Sequence, residues 1–102
     1  MIMFEVLETA AFRAWVARLS DQRARGRIVA RLARASLGNL GDARSVGGGV
    51  SELRIDYGPG YRVYFTRAGR RVVLLLCGGD KSTQERDIVR AKALAQELKD
   101  ER

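Results

Sequence analysis

The chain has no histidine, one cysteine, one proline and one tryptophan among its 102 residues. Each shortage closes a class of chemistry. Without histidine no Ser/His or Cys/His pair can activate a nucleophile, and a histidine-based ribonuclease is excluded. A single cysteine, Cys77, cannot close an intrachain disulfide. With no histidine beside it, a zinc site is not expected, so neither a metal nor a cofactor is anticipated. Cys77 lies in the apolar run Val72–Cys77 and reads as a small buried thiol. No apolar stretch approaches the ~20 residues that span a bilayer, and Met1-Ile2-Met3-Phe4-Glu5 lacks a signal-peptide pattern. A reducing, cytoplasmic location away from membranes is the expectation. Gly47, Gly48 and Gly49 lack the lysine and following helix of a phosphate-binding loop. Acidic residues are also scarce: twelve Asp and Glu face nineteen Lys and Arg, for a net charge of +7. Such a surplus attracts polyanions, nucleic acid above all. Any RNA chemistry here must use Lys, Arg, Tyr or a carboxylate as acid and base.

The length suits one domain, residues 1–102, with one core. Residues 2–7 are apolar and partly alternating, which predicts a strand. Phe12, Trp15, Val16 and Leu19 fall on one helical face, and Trp15 reads as core. Ser20-Asp21 breaks this helix and caps a second, whose apolar face is Ala24, Ile28, Leu32 and Ala35. Gly38 is the expected terminator. After the glycine-rich stretch 41–49 the pattern turns to β. Over 50–57, Leu53, Ile55 and Tyr57 point one way, and Glu52, Arg54 and Asp56 the other. Gly58-Pro59-Gly60 is a turn, 61–66 the return strand and 71–77 a third strand, apolar enough to be covered on both faces. Ser82 and Glu85 fit a capping box for a closing helix that buries Ile88, Ala91, Leu94, Ala95 and Leu98. Helices followed by a run of strands give an α+β fold, with two helices on one face of a twisted antiparallel sheet. The N-terminal strand is expected beside the last long one.

Cations gather on the hairpin and just beyond it. Arg54 and Arg62 lie on strands joined by a tight turn and can share a face, together with Tyr64. Lys81 stands at the mouth of the closing helix, whose first N–H groups and positive dipole end favour an anion. Together these residues suit a phosphate. The second helix carries Arg23, Arg25, Arg27, Arg31 and Arg34 with no acid between Arg23 and Arg34. It is either a solvated face or a rail for a phosphate backbone, with Arg27 and Arg31 as RNA contacts.

The stretch Val50–Phe65, the segment Leu74–Gln84 and Asp87-Ile88 resemble the RelE/ParE toxins, as do the earlier Phe12-Arg13-Ala14-Trp15 and Arg27–Leu32. The likeness is closest to the addiction module killer branch, related to HigB toxins and to phage-derived host-inhibition proteins, and covers nearly the whole chain. It implies a RelE-like fold: a sheet of four to five strands, two N-terminal helices packed on it and a C-terminal helix. It further implies the toxin of a type II toxin–antitoxin pair, held by a helix-turn-helix antitoxin and reaching operator DNA through it. RelE and HigB relatives enter the ribosome and cleave mRNA by attack of a 2′-hydroxyl on the adjacent phosphate. On that likeness Arg62 contacts the scissile phosphate, Lys81 stabilises charge or protonates the leaving group, and Arg54 assists. Tyr64 and Gln84 then contact base or ribose. HigB relatives use a histidine that this chain lacks, which leaves Glu52, Asp56 or Lys81 as the base. ParE relatives instead inhibit DNA gyrase without catalytic residues, and a non-toxic corepressor that only binds its antitoxin is a third reading.

Overall fold

A computed structural model describes residues 3–101. Strand β1 (Glu5–Glu8) is followed by helices α1 (Ala10–Arg18) and α2 (Gln22–Ser36). Strands β2 (Ala43–Gly47), β3 (Val50–Ile55), β4 (Tyr61–Arg67) and β5 (Val72–Gly79) then form a meander, closed by helix α3 (Gln84–Asp100). The sheet order is β1-β5-β4-β3-β2. The fold class is the expected α+β, with two differences in the sheet. Strand β1 pairs with β5 in parallel, so the sheet is mixed and not wholly antiparallel. The chain leaves β1 through two helices and returns to it only after the four-stranded meander, and nothing forces it to turn back on itself as a hairpin does. Strand β1 also begins later than expected; of the predicted 2–7, Ile2 lies outside the described residues.

The helices obey their caps. Thr9 accepts from the Phe12 N–H at 3.0 Å and starts α1. Asp21 accepts from the N–H groups of Arg23 and Ala24 at 2.9 and 3.2 Å and starts α2. Gly38, at φ 94°, follows its end. At α3 the box lies two residues earlier than expected. Asp80 and Thr83 form it around a short 3₁₀ turn, Lys81–Thr83. Asp80 accepts the Ser82 N–H at 2.8 Å, which leaves Ser82 and Glu85 out of the box.

Alternation along the strands divides the interior into two apolar layers. Leu53, Ile55, Tyr61, Val63, Phe65, Val73 and Leu75 pack with Phe12, Ala24 and Ile28 on the α1–α2 side. Val50, Tyr64, Leu76 and Cys77 pack with Ala91 and Ala95 on the α3 side. The N-terminal helices thus cover one face and α3 the other. A bulge in β5 assists: Tyr64 lies opposite Cys77 and Phe65 opposite Leu75, so Leu76 is an extra residue. This lets the consecutive Leu76 and Cys77 both join the α3 layer. Burial pushes the Cys77 thiol up to about 11, with Arg90 opposing and Asp87 adding to the rise. It is a protonated, packed group, as its apolar run suggested. Among the described residues no helix is long and apolar enough to cross a membrane.

Candidate functional site

Strand register creates the site. Arg54 on β3 lies opposite Arg62 on β4, and Arg62 lies opposite Gly79 at the end of β5. One step inward, Glu52 lies opposite Tyr64 and Tyr64 opposite Cys77. Both rows are on the α3 face, but α3 covers them unequally. The inner row is sealed: Glu52 and Tyr64 are each 0% exposed. The outer row opens at the end of the sheet into a cleft of about 370 Å³. Arg54, Arg62, Lys81, Gly60, Asp42 and Asp56 line it. The three predicted cations, from separate strands and a helix entrance, therefore reach one space.

Arg62 forms the floor of this cleft. Its side chain is only 8% exposed. Nη1 donates to the Gly60 carbonyl at 2.8 Å. Gly60, at φ 78°, holds the left-handed conformation that presents this carbonyl. Nε lies 3.9 Å from Glu52 Oε1 and has no hydrogen-bond partner among the described residues. A buried guanidinium N–H left unpaired carries a desolvation cost, offset here only by the Glu52 charge beneath it. Arg54 is more open and lies 4.0 Å from the Asp42 carboxylate, too far for a strong pair. Lys81 is exposed at the rim; its backbone N–H donates to the Pro59 carbonyl at 3.4 Å, tying the 58–60 turn to the entrance of α3.

Glu52 organises this end of the sheet from beneath. Oε1 accepts from Arg44 Nε at 3.0 Å and Oε2 from Gln84 Nε2 at 3.1 Å. Fully buried and engaged at both oxygens, Glu52 is unsuited to taking a proton from a substrate in the cleft. Of the two candidate carboxylates, Asp56 is the one both exposed and on the cleft wall, which it shares with Lys81.

Tyr64 and Arg31 require revision as nucleic-acid contacts. Tyr64 shares the face of Arg62, as the alternation predicted, but α3 lies over it. Its hydroxyl is buried with no hydrogen-bond partner among the described residues. Burial, then the nearby Glu52 and Asp87, pushes the phenol far above its ordinary range against the weaker pull of Arg62. Tyr64→Phe removes an unsatisfied group and no bond. It is expected to leave the thermal midpoint unchanged or raise it, with the protein's activity intact; a folded but inactive variant would place the hydroxyl in contact with substrate. Arg31 is 5% exposed and turned inward to the Leu40 carbonyl under Gly41. Burial first and Arg34 second lower its pKa, while Asp42 raises it. It ties α2 to the following loop and offers little to a polyanion. Gln84 donates one of its two amide N–H groups to Glu52 and lines a hollow beside Lys81. Arg27, by contrast, is exposed, with its guanidinium 4.9 Å over the Tyr57 ring. Arg27 and Arg34 border a second opening of about 320 Å³ that shares Arg54, Asp42 and Asp56 with the first.

Sequence reasoning overlooked Asp42 and Arg44, because the glycine-rich stretch concealed β2. Arg44 lies opposite Glu52 in that strand pair, and a charge facing a buried charge across two strands was the available signal.

A small basic α+β domain with this five-stranded mixed sheet and a C-terminal helix is compatible with a RelE-like fold. The chain belongs to the family described as "Phage derived protein Gp49-like", whose profile matches residues 14–100, a RelE/toxin-like family. It is also similar to a Haemophilus influenzae protein described as uncharacterized, with 51% identity over 94 residues, 92% of this chain and 95% of the relative.

Proposed function

We propose that the chain is the toxin of a type II toxin–antitoxin pair, and that its cleft binds a phosphodiester of mRNA on the ribosome and cleaves it. The addiction module killer, HigB-like branch fits this reading, with a helix-turn-helix antitoxin as cognate partner. The observation that carries it is the convergence of the nearly buried Arg62 guanidinium with Arg54 and Lys81 on one cleft. In the reaction the 2′-oxygen forms a bond to phosphorus and the P–O5′ bond breaks. Asp56 takes the 2′-hydroxyl proton, Arg62 and Arg54 hold the phosphoryl oxygens, and Lys81 donates a proton to the departing 5′-oxygen. Charge developing on the pentavalent phosphate is met by these three cations.

Induction in cells with transcript-end mapping tests the reading. New mRNA ends within coding sequence, produced in vitro only when ribosomes are present, are the expected result. Intact transcripts together with inhibited DNA supercoiling would replace the reading with gyrase inhibition. Normal growth together with antitoxin binding would leave a corepressor.

A further inference from the structure

The cleft of Arg54, Arg62 and Lys81 does not end at Lys81. A second hollow of about 530 Å³ runs along Lys81–Arg86 and shares Lys81 with the first. A third, of about 500 Å³, shares Thr83 and Arg86 with the second. Trp15, Arg18, Gly78, Gly79 and Arg90 are also on its wall. The three openings therefore follow one another round the end of the sheet, from the α3 face to the α1 face.

Trp15 is fixed in this third hollow. A Cβ on Gly78 would overlap the six-membered part of its ring, so the indole lies directly on the Gly78 backbone. Phe12 and Tyr61 hold it from the sides, with centroids at 5.9 and 6.2 Å and interplanar angles of 49° and 65°. The ring is half-buried by these contacts, and the remainder faces the hollow. Arg18, Arg86 and Arg90 are exposed around it. Two acids stand there as well, and both are occupied. Asp87 accepts from the Thr83 hydroxyl at 2.5 Å, and Asp80 accepts from the Ser82 backbone N–H at 2.8 Å. A rigid aromatic surface ringed by guanidinium groups, continuous with a phosphate site, has the chemistry of a single-strand nucleic-acid channel.

We propose that RNA bound at the Arg62 cleft continues past Lys81 and Arg86 into this hollow, where a nucleobase several positions along the strand stacks on Trp15. The inference rests on the proposed RNA reading of the first cleft and adds a second contact point to it. Arg18 and Arg90 then hold backbone phosphates, and Trp15 serves as a platform that accepts any base.

Trp15 is the only tryptophan in the chain, so its fluorescence reports on the hollow directly. The full-length protein is titrated with single-stranded 2′-O-methyl oligonucleotides, which cannot be cleaved. An eight-nucleotide strand is expected to quench the emission, whereas a dinucleotide fills the first cleft without quenching. Arg18→Ala with Arg90→Ala is expected to weaken the longer strand roughly tenfold and leave the dinucleotide unaffected. Absence of quenching at every length, quenching unaffected by the double substitution, or quenching by polyglutamate in preference to RNA would each overturn the channel. Transcript cleavage by the wild type separates the two readings: cleavage without quenching removes only the channel, and no cleavage removes the RNA function beneath it.

Discussion

Arg62→Ala lowers transcript cleavage by about 10²–10³-fold, the loss seen when one preorganised charge donor is removed from a transition state. Growth inhibition disappears with it. The expectation follows from where the side chain sits. It is nearly buried, held by the Gly60 carbonyl, and left with one N–H unsatisfied. Little reorganisation is needed when a phosphate arrives, and that condition makes a cation effective in catalysis. Arg62→Lys keeps the charge but loses the planar fork, and recovers only part of the rate. The fold should survive Arg62→Ala, because Glu52 retains Arg44 and Gln84 as partners. Transcript-end mapping beside circular dichroism measures both properties. Wild-type cleavage by a folded Arg62→Ala protein would remove the catalytic assignment.

Glu52→Ala is expected to have the largest effect on stability. The substitution leaves Arg62 buried 3.9 Å from a vanished carboxylate and takes an acceptor from Gln84. Removing one member of a buried charge pair costs roughly 3–5 kcal/mol. For a domain of this size each kcal/mol lowers the thermal midpoint by about 4–8 °C, so a fall of ~10 °C or more is anticipated. Arg44 contributes little to this loss, because its side chain is 61% exposed and water replaces the carboxylate. Combined with Arg62→Ala, the loss should be smaller than the sum of the two single losses, since the double variant has no stranded charge. Additive losses measured by thermal unfolding would show that the two residues do not interact.

The contrast between Glu52 and Arg54 shows how far sequence can reach. They are two residues apart on one strand and face the same way, and alternation predicted as much. One is sealed beneath α3 and the other opens into the cleft. Period-two alternation assigns a face; it does not say where a covering helix ends. Tyr64 was misjudged for the same reason, since it shares the face of Arg62 but lies one row further under α3. Arg31 was legible as one of five arginines on α2, but the inward turn of its guanidinium depends on the Leu40 carbonyl, brought there by the loop after the helix. Trp15 was expected in the core and does pack against Phe12, yet the seating of its ring depends on the bare backbone of Gly78, sixty-three residues away in sequence.

The amino-acid sequence alone determined which chemistry is excluded, through its missing histidine and lone cysteine. Its hydrophobic periods and turn residues determined the helices and most of the strands, because those depend on neighbours a few positions apart. Only the tertiary structure decided that β1 lies parallel to β5, that α3 seals Glu52 and Tyr64 while leaving Arg54 open, and that Arg31 turns inward. Those outcomes depend on strand register and helix placement, which bring together groups that are distant along the chain and have no local pattern to announce them.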